Sequence, residues 1–408
     1  MKRLWSLLTL VLLILASCKD KSPVSLKAGD WRLTLDLGNG NMLPQQTSVS
    51  ELEVWNLIND TEIIEVTEIE IKGDSIYLRP PVFEGYFAGV FKSENLIQGS
   101  FIKPSLNRVV PFSLEYGNGN RFEKSSSSDK VAKVNEVWEV VFSPEAAQDR
   151  YIAKGVFNQT GSKVTGTFET TTGDYRYLEG TATADSLFLS TFDGAHAFLF
   201  KAAINDDEMS GIFYSGNHWQ EPFIGKVNAD YQLPSATDLT YLKEGFDRFE
   251  FEFPNKDGQM VSLNDPMFND KVVIVQLMGS WCPNCLDETR FYVDYINNKQ
   301  HDDVQFVALA FEYASTQEKA FESIEKLKQS VGIPYPVLLA QHGNVDKNIA
   351  AQKLPMLNHV LSYPTSIFID KSGEVRRIHT GYNGPATGVS HERFREDFYS
   401  FVDSLRAG

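Results

Sequence analysis

Residues 271–288 run KVVIVQLMGSWCPNCLDE, and this stretch decides the fold of the second half of the chain. Val272-Val273-Ile274-Val275-Gln276-Leu277-Met278 is an almost unbroken apolar run rich in β-branched residues, the pattern of a strand covered on both faces. Gly279 and Ser280 end the run, and Pro283 marks the first turn of a helix, where its missing N–H costs nothing. Cys282 and Cys285 fall at that strand-to-helix junction. Unpaired backbone N–H groups and the positive end of the helix dipole favour a thiolate there, so Cys282 is expected to titrate below the free value of about 8.5. Cys285, inside the first turn, is expected to be the more buried sulfur. The pair reads as a dithiol: Cys282 forms a mixed disulfide with a substrate and Cys285 resolves it.

Around this core the pattern alternates strands and helices. Strands are expected at Val304–Phe311, near 337–339, at Thr365–Ile369 and at 374–379, with helices over 283–298, 316–331 and 346–352. A last helix carries Phe394, Phe398, Phe401, Val402 and Leu405 on one stripe. Phe246 to Phe253, followed by the turn Asn255-Lys256-Asp257-Gly258, reads as a hairpin opening this α/β region. Glu288 follows Cys285 by three positions on the same helix face, which makes it a candidate proton acceptor; the alternative is a solvated surface carboxylate. Tyr363-Pro364-Thr365 stands before an apolar strand, and X–Pro bonds are the kind that accept the cis form. There the Tyr363 backbone would face the dithiol and pair with an extended substrate; the alternative is a proline that merely begins a strand.

The Lys271–Glu288 run, the Tyr363-Pro364-Thr365 step and the Phe368-Ile369-Asp370-Lys371-Ser372-Gly373 turn resemble the TlpA/ResA-like branch of thioredoxin-fold thiol-disulfide oxidoreductases, over roughly residues 245–405. The resemblance implies a thioredoxin-like fold. It implies Cys282 as nucleophile, Cys285 as resolving cysteine, Glu288 as acid–base group and Pro364 as a cis-proline, with Trp281 and Tyr363 beside the substrate. It also implies an extracytoplasmic reductase of protein disulfides fed by a membrane thiol-disulfide donor. Two departures stand out. Gln276 occupies the place of the buried acid of thioredoxins, which moves the proton to Glu288 or water, and Pro283-Asn284 replaces Gly-Pro, which leaves the potential open.

The chain begins with Lys2 and Arg3, an apolar stretch from Leu4 to Leu15 and Leu15-Ala16-Ser17-Cys18. The apolar stretch is shorter than the roughly 20 residues a membrane-spanning helix needs. It reads as a secretion leader ending in a lipobox-like step, with Cys18 the lipidated residue; an ordinary leader with an incidental cysteine is the alternative. The chain has three cysteines. With Cys18 lipidated, Cys282 and Cys285 are left as a redox disulfide and none remains for a structural bridge.

From Trp31 to about Tyr231 short apolar segments alternate with Gly, Asn, Asp and Ser, and no helical period emerges. This is an all-β region. Trp31 to Leu35 and Glu51 to Val54 alternate as half-buried strands, and Val137 to Phe142 alternates poorly enough to suggest burial on both faces. Gly73-Asp74-Ser75-Ile76-Tyr77-Leu78 repeats as Ala184-Asp185-Ser186-Leu187-Phe188-Leu189, and Gly99-Ser100-Phe101 as Gly211-Ile212-Phe213. Two similar meanders forming a sandwich or barrel are expected, joined by a loop from Gly117 to Lys130. The chain thus divides into a leader (1–17), a tether (18–27), a β-rich domain (28–235) and a thioredoxin-like domain (236–408).

At 408 residues and 42% hydrophobic content the chain has enough apolar mass for two cores. A net charge of −16 excludes the basic stripe a nucleic-acid binder requires. No cofactor is expected beyond the dithiol. A zinc site lacks a second Cys pair and any His-x₃₋₅-His spacing. A thiol peroxidase related to peroxiredoxins would carry Thr or Ser where Gly279 stands and Pro where Val275 stands. A ligand-binding lipoprotein, with the dithiol secondary, would use the polar-aromatic set Asp174, Tyr175, Arg176, Asp193, His196, His218 and Trp219. The Gly381–Pro385 loop and His391 are expected near the dithiol.

Overall fold

The computed structural model describes residues 25–122 and 131–408. The leader, Cys18 and most of the Ser-rich linker lie outside them. Among the described residues, two antiparallel sheets of nine strands each are built from strands between Gly29 and Val227, and the sequence repeat is a repeat of topology. In the first sheet the opening strand Gly29–Asp36 pairs with the closing strand Arg108–Tyr116, so two meanders run outward from the centre. Trp31, Leu33 and Leu35 point into its core, as their alternation requires. In the second sheet Val137–Phe142 pairs with the last strand Trp219–Val227, Trp138 opposite Val227. This pairing, with the contact between Tyr151–Thr160 and Lys163–Thr170, closes an eight-stranded barrel.

Two sequence expectations for this region change. Glu51 to Val54 is a turn, with Glu53 at φ +59° and Leu52 exposed, because alternation over four residues fits a turn as well as a strand. Val137–Phe142 buries one face only: Trp138, Val140 and Phe142 point into the barrel, and Val137 and Val141 face outward. The outward valines made the strand look buried on both sides.

The third unit is α/β. Val272–Met278, buried along its whole length, is central. Val304–Phe311 and then Val337–Gln341 lie parallel on one side, and Thr365–Ile369 and then Val375–Thr380 antiparallel on the other. Helices α1 (Pro283–Lys299), α2 (Gln317–Val331), α3 (Lys347–Lys353) and α4 (Val389–Ala407) follow in chain order. Phe398, Val402 and Leu405 of α4 enter the core, and Phe394 and Phe401 pack at its edge. The opening hairpin is shorter than expected. It pairs Glu252–Pro254 with Met260–Ser262, while Phe249 and Phe251 pack as irregular chain into the core. Val82, Phe83 and Ala195 of the β region join that same core, so the units share buried surface.

Candidate active site

Strand Val272–Met278 delivers the chain to the top of the sheet, and Cys282 becomes the N-cap of α1. Its sulfur accepts from the Cys285 amide at 3.2 Å, and its carbonyl accepts from Leu286 N at 3.0 Å. The Cys285 amide, at the positive end of the helix dipole, is the donor that would hold a Cys282 thiolate in the reduced form. Cys282 and Cys285 are joined as a disulfide, with Cα atoms 5.2 Å apart. Cys282 is 6% exposed and Cys285 fully buried. The Tyr363–Pro364 peptide is cis, and the Tyr363 carbonyl oxygen lies 3.4 Å from the Cys282 sulfur. Trp281 donates from Nε1 to Phe311 O at 2.8 Å and meets the Tyr363 ring edge-on at 6.0 Å.

Glu288 is fully buried, which removes the reading of a solvated surface carboxylate. Three side chains donate to it: Gln276 Nε2 at 2.9 Å, Tyr292 OH at 3.0 Å and Ser366 Oγ at 2.9 Å. Desolvation outweighs those bonds and pushes its carboxyl up to about 7. Gln276 also reaches the Cys285 carbonyl at 3.4 Å, so it ties the helix to the central strand beneath the dithiol. The structure thus gathers Cys282, Cys285, Glu288, Trp281, Tyr363 and Pro364 in one place. Cys18 lies outside the described residues.

The sequence alone did not indicate what stands across from the sulfurs. The rim of the barrel meets the dithiol loop. Asn284 Nδ2 donates to Asp174 O at 3.1 Å, Ser362 Oγ to Thr172 O at 2.9 Å, and Gly384 N to Asp174 Oδ2 at 2.6 Å. A Cβ at Gly173 would sit 2.1 Å from Asn284 Nδ2, at a backbone φ of +140° that side chains avoid, so this approach depends on glycine. Arg176 is buried and contacts Glu62 of the first sheet, Asp193 of the second and Asp287 of α1. Of the polar-aromatic set, Asp174, Tyr175 and His196 line the cleft over Cys282, Arg176 and Asp193 brace it, and His218 and Trp219 lie away from it. The Gly381–Pro385 loop contributes Gly381 N, which donates to Pro364 O at 2.9 Å. Glu312, absent from the sequence-based candidates, is buried, accepts from Ser280 N at 2.8 Å and Oγ at 2.7 Å, and is pushed up to about 7 by desolvation. Its signal, a lone acid ending an apolar strand, was too weak to read.

Residues 232–391 match the Redoxin family. The chain's C-terminal part is a redoxin domain of the thioredoxin-like thiol-disulfide oxidoreductases. The chain is similar to thioredoxin-like protein YneN of Bacillus subtilis (strain 168), 26% identical over 152 residues, 37% of this chain and 79% of that protein. Among solved structures it is similar to a thiol:disulfide interchange protein of the thioredoxin family from Chlorobium tepidum TLS. That match is 20% identical and covers 40% of this chain and 98% of that one, with a TM-score of 0.29. StoA from Bacillus subtilis is 18% identical, covering 36% and 94%, with a TM-score of 0.26. Among the described residues there is no group of His, Cys, Asp and Glu that would hold a metal ion, and no helix long and apolar enough to cross a membrane.

Proposed function

We propose that this protein is an extracytoplasmic, lipid-anchored reductase of protein disulfides that works through Cys282 and Cys285. The observation that carries the reading is the disulfide seated at the N-terminus of α1 with the buried carboxyl of Glu288 one turn beyond Cys285. In the reduced protein the Cys282 thiolate attacks a substrate disulfide, forming a mixed disulfide and releasing one substrate thiolate. Cys285 then gives its proton to Glu288 and attacks Cys282, releasing the second substrate thiolate and leaving the Cys282–Cys285 disulfide. A membrane thiol-disulfide donor returns two electrons. Tyr363, set by cis-Pro364, offers its carbonyl to the substrate backbone, and Trp281 flanks it. Cys18 takes the lipid after residues 1–17 are removed, residues 18–27 act as tether, and the working units are 28–235 and 236–408. The Redoxin match beginning at 232 and the lack of strand between Val227 and Glu252 support that division.

Cys282→Ser is expected to abolish disulfide reduction, and Cys285→Ser to accumulate mixed disulfides whose partners identify the substrates by mass spectrometry. Full activity in both variants would overturn the proposal. A couple near about −270 mV in glutathione or dithiothreitol buffers fits a reductase, and one near about −120 mV would make the protein an oxidase.

A further inference from the structure

The barrel supplies much of the wall around Cys282, and its chemistry points to a class of substrate. We propose that the mouth of the barrel is the second half of the substrate site, and that it selects disulfides carried on a slim, extended peptide with apolar or aromatic neighbours over disulfides on a folded protein surface. This rests on the oxidoreductase reading above and gives the β region a task within it.

Size is the first argument. The cleft over Cys282 has a volume of about 310 Å³ and is lined from the barrel by Tyr151, Thr172, Gly173, Tyr175, His196 and Phe198. That is the low end of small-ligand pockets, which run from about 300 to 1,000 Å³. A folded partner needs roughly 800 Å² of facing surface, and beside the dithiol the barrel rim is already bonded to Asn284, Ser362 and Gly384. With Cys282 only 6% exposed, what reaches its sulfur is narrow.

The lining is the second argument. Four rings from the barrel face two from the redoxin domain, Trp281 and Tyr363. They are held by their own neighbours. Tyr175 packs on Phe198 at 5.3 Å and Phe213 at 5.1 Å, Tyr151 OH donates to Glu221 Oε1 at 2.8 Å, and His196 stacks on Phe198 at 4.5 Å. Fixed aromatic walls give apolar contact at little entropic cost. The charges at the rim already have partners: Asp174 accepts from Gly384 N and Arg176 N, and Asp193 faces His196 Nδ1 at 3.3 Å. Ring faces and the Tyr363 carbonyl are therefore the larger part of what the cleft offers a substrate, beside the His196 Nδ1, which faces Asp193 but makes no hydrogen bond among the described residues.

The wall is also fastened in place. Hydrogen bonds from Asn284, Ser362 and Gly384 reach two barrel-rim residues, Thr172 and Asp174, on either side of Gly173. The glycine contact at Gly173 brings main chain against Asn284 within the dithiol loop itself.

The test uses the full chain, reduced, with four oxidised probes: hydroxyethyl disulfide, a short peptide disulfide flanked by Phe and Leu, the same peptide flanked by Asp and Lys, and a folded protein with a surface disulfide. The expected result is a kcat/KM for the Phe/Leu peptide at least tenfold above both the charged peptide and the folded protein. Phe198→Ala and His196→Ala should raise KM for the Phe/Leu peptide severalfold, with Phe198→Leu as the milder variant where thermal melting shows that Phe198→Ala fails to fold. Equal kcat/KM for peptide and folded disulfides, or an unchanged KM in the folded variants, overturns the proposal. Failure to reduce even hydroxyethyl disulfide overturns the oxidoreductase reading, and this one with it.

Discussion

Glu288 combines two demands that pull apart. A fully buried carboxylate is costly, yet three donors hold it in place, and the balance leaves it titrating at about 7. In the proposed mechanism a group poised there would take a proton from Cys285 near neutral pH and return it in the reverse direction. Glu288→Gln is expected to slow resolution of a mixed disulfide about 100-fold, at the low end of what general bases contribute, and to remove the fall in rate expected of wild type as pH drops below about 7. Stopped-flow rates from pH 5 to 9 measure both. The same shift acts on stability. Raised from 4.5, the carboxyl contributes stability fully present below about pH 4.5 and lost as pH rises through about 7. That contribution is roughly 3 kcal/mol. Denaturation of the oxidised protein at pH 5 and pH 8 should show a smaller difference in Glu288→Gln than in wild type. Glu312 has a similar shift and keeps part of the slope in the variant. An unchanged rate and slope would remove Glu288 from both roles.

At the scale of elements, the strand and helix that carry the cysteines were legible because every local signal agreed: apolar continuity from Val272, a break at Gly279, and proline at the first helical position. The barrel was legible only as repeated hairpins. Its closure depends on Trp138 meeting Val227, a pairing between distant segments that no local pattern encodes. The turn at Glu53 and the outward face of Val137–Phe142 went unread for the related reason that composition does not say which side of a strand is covered. Asp174, Tyr175 and His196 stood out as a polar-aromatic set, but their position over Cys282 comes from packing between units. Gly173 is where that packing is tightest. Gly173→Ala should cost about 1–3 kcal/mol from backbone strain alone, before the contact with Asn284. Because the new Cβ pushes the barrel rim from the dithiol loop, alkylation of reduced Cys282 should quicken about tenfold at a pH where the thiol is fully ionised. Alkylation at the wild-type rate would mean that the rim does not restrict access.

Over the whole molecule, one guanidinium joins the two large β sheets to helix α1. Arg176 is aimed inward by the turn in which its own N–H donates to Asp174 Oδ1 at 2.6 Å, and there it meets Glu62, Asp193 and Asp287. Desolvation works against its charge, and the surrounding carboxylates outweigh that effect, so it remains a cation. A buried pair of this kind adds little compared with a well-packed apolar alternative, but removing one partner strands the others, at about 3–5 kcal/mol. Arg176→Ala should therefore destabilise by that amount. It should also uncouple units that share a core through Val82, Phe83 and Ala195. Wild type is expected to unfold in denaturant as one transition, with fluorescence and far-UV circular dichroism coincident, because the barrel cannot leave the redoxin domain without breaking the Arg176–Asp287 contact and uncovering the shared core. In Arg176→Ala the two signals should separate, with fluorescence following the β region, which holds Trp31, Trp55, Trp138 and Trp219, and the helical far-UV dichroism following the redoxin domain, which holds helices α1 to α4. A double-mutant cycle with Asp287→Ala isolates the contact that crosses to α1. A coupling near zero would mean that the apolar contacts alone hold the barrel over the dithiol, and Arg176 would then serve only the junction between the two β sheets.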